Sequence, residues 1–211
     1  MRIAQIVYKV DNLSSAVSEA KKKGYCVEYG GEKNPYNAFI YFENGPFIEL
    51  MQNTGVPGFV KVLFKIFRMK GFANRFETWD NASHGPLGIG IEVEDEKIDR
   101  IRNFLKAKGI ASYKVPVLRK DVNGEKNTCY ALFPENVSMP FYVTKYVHEL
   151  KRDNTNHPNG VKCVKCADIC IEDPEYEIVN KLFQEMDLFS DLGGTLVKKK
   201  GVFQLQMNKE N

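Results

Sequence analysis

Val7-Tyr8-Lys9-Val10-Asp11-Asn12-Leu13 is the stretch on which the fold turns. A strand-like run closes on a β-branched residue, an acid and a helix-capping residue, and an amphipathic helix opens behind it. The same signature returns at Val93-Glu94-Asp95 and at Ile171-Glu172-Asp173, so the copies lie about 80 residues apart. That interval is far longer than the roughly 20–50 residues of a solenoid repeat, and each copy is therefore expected to be a small α/β unit. Asn12, Asp95 and Asp173 suit the cap because their side-chain oxygens accept free backbone N–H groups of a first helical turn. Pro174 then falls at the first helical position, where its missing N–H costs nothing.

Working outward, each signature leads into a helix of period 3.6. Leu13, Ala16, Val17 and Ala20 share one face in the first copy, and Gly24 ends it. Ile98, Ile101 and Leu105 form the stripe of the second, stopped by Gly109. Ile178, Val179, Leu182, Phe183 and Met186 form the third, with no glycine at the matching place. Short strand-like runs follow: 25–29, 38–42 and 46–51 in copy one, with Gly30-Gly31 and Asn44-Gly45 as turns. Copy two has 112–118, 127–133 and 140–147, broken at Asn123-Gly124 and at Pro134-Glu135-Asn136. Copy three is incomplete, with runs near 195–197 and 202–207.

A period of two along 3–10 sends Ala4, Ile6, Tyr8 and Val10 towards the helix and Ile3, Gln5, Val7 and Lys9 to the other side. On the run 46–51, Ile48 and Leu50 face the helix, and Phe47, Glu49 and Met51 face away from it. A carboxylate among apolar groups is a candidate general base. A salt bridge to Lys9 or a hydrogen bond from Gln5 is the structural alternative.

Composition bounds the rest. The chain has 211 residues, 43% hydrophobic and 27% charged, and a net charge of +3, which is globular usage with no basic arm for nucleic acid. The N-terminus runs straight into strand-like sequence, and no apolar run reaches the roughly 20 residues that cross a bilayer, so no leader and no membrane span are expected. Five cysteines, an odd number in a chain of this size, suit a reducing compartment, and the cytoplasm is the expected location. Cys163 and Cys166 point to opposite faces of a strand, so the set 163, 166 and 170 reads as packed thiols, like Cys26 and Cys129, rather than as metal ligands. His84 and His157 sit in turns, where a histidine either caps the turn or works at a cleft rim, and His148 reads as a surface residue. Between copies one and two, Phe59 to Met69 forms a helix dense in apolar groups, with Lys61, Lys65 and Arg68 as its polar stripe. It is expected to cover a sheet edge or close the cleft mouth, with Trp79 and Phe76 as further cover; Phe72, Phe76 and Trp79 alternatively form an apolar wall for a ligand, and a membrane surface, a docked partner or a homodimer interface are the helix's other uses.

The runs Val7 to Leu13, Asn37-Ala38-Phe39-Ile40-Tyr41-Phe42 and Pro46-Phe47-Ile48-Glu49-Leu50-Met51, with the junction His157-Pro158-Asn159-Gly160, resemble the glyoxalase-like domains of the vicinal oxygen chelate superfamily. The resemblance implies an α+β fold of repeated β-α-β-β-β modules whose curved mixed or antiparallel sheets enclose a cleft, helices outside. Modules are then expected at 1–54 and 87–150, with a helical connector at 55–86 and a partial third module at 151–211. It also implies glyoxalase, lyase or dioxygenase chemistry on a divalent metal held by a His of a module's first strand and a Glu of its last. The His position falls on Gln5, Gly88 and Cys166, and the carboxylate position on Glu49, Val143 and Gln204. Only Glu49 is a family ligand, so the cofactor stays open and no metal residue is assigned. The expectation is a small-molecule site with Glu49 as catalytic base and Gln5, Val7, Phe47, Met51, Trp79, His84 and Phe141 binding the ligand. A metal-free sequestering protein and a non-catalytic homodimer are the alternatives.

Overall fold

The computed structural model describes residues 2–120, 126–147, 154–190 and 192–209. Asn123-Gly124, His148 and the side chain of Cys166 lie outside what is described. The first unit runs β1 (Arg2–Lys9), α1 (Leu13–Lys22), β2 (Glu28–Tyr29), β3 (Asn37–Ile40) and β4 (Phe47–Met51). Two helices follow, α2 (Gly58–Ile66) and α3 (Lys70–Asn81). The second unit runs β5 (Gly85–Val93), α4 (Asp95–Ala107), β6 (Ser112–Lys120), β7 (Lys126–Pro134) and β8 (Phe141–Thr144). Last come β9 (Val161–Ile171), α5 (Glu175–Glu185), β10 (Leu196–Lys198) and β11 (Phe203–Lys209).

The first two units have one topology laid out twice. β1 pairs parallel with β4, and β5 pairs parallel with β8; each inner pair is extended outward by antiparallel strands. β1 and β5 meet antiparallel at the centre, giving one eight-stranded sheet in the order β2-β3-β4-β1-β5-β8-β7-β6. The fold is thus α+β with a large mixed sheet. β9 repeats the central pattern in a separate three-stranded sheet, parallel to β10 and antiparallel to β11.

Local chemistry explains where the helices stop and start. Asn12 caps α1, its side-chain oxygen accepting the Ser15 N–H at 2.8 Å. Asp95 and Asp173 do not act as caps. Glu94 and Pro174 occupy those positions without a side-chain bond, and α4 and α5 instead carry acids in the first turn, where the helix dipole favours negative charge. Pro174 therefore precedes the first helical residue, Glu175. Gly24 takes φ +80°, and a Cβ there would lie 2.9 Å from Asn159, so the residue serves both the helix end and a close chain crossing. At the end of α5, Asp187 adopts the left-handed conformation (φ 51°) that the sequence supplies no glycine for.

Two bulges re-aim side chains of the central pair. Ile3 and Gln5 stand opposite the consecutive residues Ile91 and Gly90, leaving Ala4 extra. Ile3 therefore turns to the helix side, where it is 1% exposed in the main core, and not to the Gln5 side that strict alternation assigns it. The second bulge leaves Leu87 extra between Gly88 and Pro86. The main core joins β1 and β5 to α1, α4 and α5, and it also holds Val161, Val164, Ala167, Ile169 and Ile171 of β9. A second core fills the opposite face: α3 lays Phe72 and Trp79 against Val7, Met51, Leu87, Phe133 and Phe141. Helices therefore cover both faces of the sheet.

Candidate ligand site beside Glu49

The site begins with strand register. Parallel pairing of β1 with β4 sets Gln5 beside Phe47, Val7 beside Glu49 and Lys9 beside Met51. Antiparallel pairing of β3 with β4 sets Phe39 beside Glu49 and Asn37 beside Met51. Directly paired residues share a face, so these side chains gather on the face turned away from α1 and α4.

Glu49 is 8% exposed. Gln5 Nε2 donates to its Oε2, and Asn37 Nδ2 donates to its Oε1 at 2.6 Å. Each carboxylate oxygen thus receives an amide N–H, the arrangement of a buried acceptor held in one orientation. The hydrogen bond from Gln5 offered as the structural alternative is present. Lys9 is buried, and its ammonium donates to the Gln52 carbonyl, while Gln52 Oε1 accepts the Leu13 N–H at 2.8 Å. This ties the site to the first turn of α1.

One wall of the site is aromatic. Phe39 stacks on Tyr41 at 5.6 Å, and Phe47 stands 5.4 Å from Tyr41 and 5.8 Å from Phe39. The other wall is Val7 and Met51, which continue into the core built by α3. There Trp79 meets Phe141 at 5.9 Å and Phe133 at 6.2 Å. Behind them lies Arg75, fully buried, donating to the carbonyls of Pro134 (2.6 Å), Asn136 (3.1 Å) and Met139 (2.9 Å), with its guanidinium 5.1 Å from the Trp79 ring. Burial lowers the Arg75 pKa to about 9. The same burial pushes the Tyr142 phenol upward.

The matching place in the second unit is closed. A Cβ on Gly88 would lie 3.1 Å from Trp79 Cζ2, and one on Gly90 would lie 2.7 Å from the Phe141 ring. The glycines let two rings rest on bare backbone, so Trp79 and Phe141 cover the position that the resemblance assigns to a histidine, and Val143 packs against the same core.

Seven of the eight residues named from sequence therefore line this face. Gln5, Phe47 and Glu49 group together, Val7 and Met51 bridge, and Trp79 with Phe141 fills the neighbouring space. His84 is not brought to them. It is exposed, its ring packing edge-on against Tyr8 at 5.3 Å, and Tyr8 belongs to the helix-side core. His157 is not a solvated turn histidine: it is 4% exposed, its Nδ1 accepts the Cys26 N–H at 3.0 Å, and Tyr25 and Phe42 contact its ring at 5.4 and 5.1 Å. Burial holds its pKa below the ordinary histidine value. Cys129 and Cys170 are buried, and burial pushes the Cys170 thiol upward. Cys26 and Cys163 are half-buried, and Cys26 Sγ donates to the Asn156 carbonyl at 3.3 Å. Asn37 and Arg75 escaped the reading of the sequence. Asn37 enters through cross-strand register, which one sequence does not display, and Arg75 donates its hydrogen bonds to backbone carbonyls, which no side-chain pattern announces.

The residues do not fit a transition-metal centre of the family type. Gln5 turns an amide N–H, not a lone pair, towards the carboxylate. Among the described residues no three His, Cys, Asp or Glu side chains converge as a ligand set.

A protein-family model for the glyoxalase-like domain matches residues 6–184. Among solved structures, a hypothetical protein from Staphylococcus aureus superposes with a TM-score of 0.56 at 15% identity, covering 87% of this chain and 75% of that one. The Mn(II)-bound glyoxalase from Novosphingobium aromaticivorans gives a TM-score of 0.48 at 11% identity, covering 87% of this chain and 51% of that one. A Streptomyces coelicolor methylmalonyl-CoA epimerase gives 0.40 at 15%, covering 69% of this chain and 97% of that one. No match is found among curated proteins. With the family model spanning both halves of the eight-stranded sheet, the chain belongs to the glyoxalase-like domain family, within the vicinal oxygen chelate superfamily.

Proposed function

We propose that the protein binds a small organic molecule on the sheet face beside Glu49, with the carboxylate as hydrogen-bond acceptor, and that it does so without a transition metal. The observation that carries this reading is the pair of amide donors fixing a buried carboxylate between the aromatic group Phe39, Tyr41, Phe47 and the apolar pair Val7, Met51. Binding sites of this kind combine a mostly apolar lining with a few well-placed polar groups. The ligand that fits has an apolar or aromatic body and one hydrogen-bond donor, an enol or phenol for instance.

If the bound molecule is also transformed, Glu49 is the group that accepts its proton, and Gln5 and Asn37 act as positioning residues that hold the carboxylate in line. The family's metal-dependent lyase and dioxygenase chemistry is the alternative, and the donor set speaks against it. No described helix is long and apolar enough to cross a membrane.

The test is a titration of small phenols and enols followed through the methyl resonance of Met51. We expect Glu49→Gln to weaken binding by roughly tenfold or more, the worth of a hydrogen bond to a charged group, with the fold unchanged. Shifts that map away from Met51, or an affinity indifferent to Glu49→Gln, would overturn the assignment.

A further inference from the structure

The helix α2 is inverted relative to an ordinary surface helix. A helix on a globular protein turns its apolar stripe to the core and its charges to water. In α2 and its C-cap, Phe59 (70% exposed), Val62 (55%), Leu63 (43%), Ile66 (66%) and Phe67 (71%) face outward, and no residue of the helix is buried. Its lysines turn inward. Lys61 pairs with Asp80, and Lys65 pairs with Glu77 at 2.7 Å, both acids on α3. Phe64 anchors the inner side against Phe72 at 5.0 Å. The outward residues fall at spacings of three and four, so they form one stripe.

We propose that this stripe is a self-association surface, on which α2 of a second copy of the chain packs across a two-fold axis. Area supports it. A fully buried aromatic side chain removes about 150–250 Å², so Phe59 and Phe67, 70% and 71% exposed, together offer roughly 280 Å² per copy, and Val62, Leu63 and Ile66 extend the same patch. Covering the stripe on both copies removes on the order of 900 Å² of mostly apolar surface, the size of a small, reversible interface. Charge supports it as well. In a two-fold contact each copy presents the same patch, so unpaired lysines on it would repel. Here both lysines are neutralised by acids of their own chain and lie off the stripe. The same arrangement argues against a lipid surface, because a helix lying on anionic lipid carries free basic residues along its polar face, and only Arg68 and Lys70 at one end remain exposed. Since Phe64 packs into the core that α3 lays over the sheet, association would also hold this cover in place.

The test is light scattering on the full-length chain during size-exclusion chromatography, from low micromolar to several hundred micromolar protein, for wild type and for Ile66→Glu and Phe67→Glu. The wild type is expected to approach twice 24.1 kDa, and each variant to dissociate at least 100-fold more readily, because a carboxylate would be forced into the centre of an apolar contact. Both substitutions lie on exposed positions, so circular dichroism and thermal melting should match the wild type, and this separates lost association from lost folding. A wild type that stays at the monomer mass throughout, or a dimer that survives both substitutions, would overturn the proposal. So would a monomer that binds phosphatidylserine vesicles through Ile66 and Phe67.

Discussion

Asn37 and Gln5 share one task, and its energetic weight is measurable. A hydrogen bond to a charged group contributes about 1.5–3 kcal/mol, and removing a donor leaves a buried carboxylate short of a partner. Asn37→Ala is therefore expected to cost about 2 kcal/mol in urea unfolding, and an unchanged midpoint would show that water replaces the amide. Arg75 carries more. Its guanidinium donates to three carbonyls, two of them buried, in a fork that an ammonium does not reproduce. Arg75→Lys should behave as a severe lesion, about 3 kcal/mol or more, and a near-neutral result would remove Arg75 from the account of how α3 is fixed to the sheet. His157 supplies a pH dependence. Its folded pKa is lowered from 6.5 by burial, so the folded state resists protonation. Its contribution is complete above the unfolded value and is lost as pH falls through 6.5 towards the folded value. Unfolding free energy should fall between pH 7.5 and 5, and His157→Gln should flatten that slope.

At the level of elements, the glycines of β5 decide how closely α3 approaches. Gly90→Ala would drive a Cβ into the Phe141 ring, which is fixed by Trp79 and Phe133, and overpacking of this kind costs about 1–3 kcal/mol. Thermal melting of Gly90→Ala checks this, and an unshifted melt would mean that Phe141 has room to move. The strands and helices were legible in the sequence because capping residues and period-two alternation are local signals. The Asn12 cap, the glycine ends of α1 and α4 and the Glu49 face all followed from them. What was not legible came from pairing. The bulge at Ala4 turned Ile3 to the other side, register alone put Asn37 against Glu49, and the bare backbone of Gly88 left the place that Trp79 fills. Asp95 and Asp173 failed as caps because a cap depends on backbone geometry to within one residue, and each helix started a residue away from its expected place.

For the whole molecule, duplication sets two halves of one topology side by side with different linings. The two halves of the eight-stranded sheet share a topology, yet one presents Glu49 among amides and the other is sealed by indole and phenyl rings on bare glycine backbone. β9 and β10 begin the pattern a third time, but their inner face is spent on the common core rather than on a second site. Resemblance to the family foretold the architecture and the position of Glu49. It leaves the chemistry to the proposal above, since Gln5 stands where a ligand histidine is implied. The measurement that bears most directly on this account is the metal content of protein purified without chelators, by inductively coupled plasma mass spectrometry. The account predicts far less than one equivalent of zinc, iron, manganese, nickel or cobalt per chain, unchanged by Glu49→Ala. One equivalent of any of these metals, lost on Glu49→Ala, would contradict it.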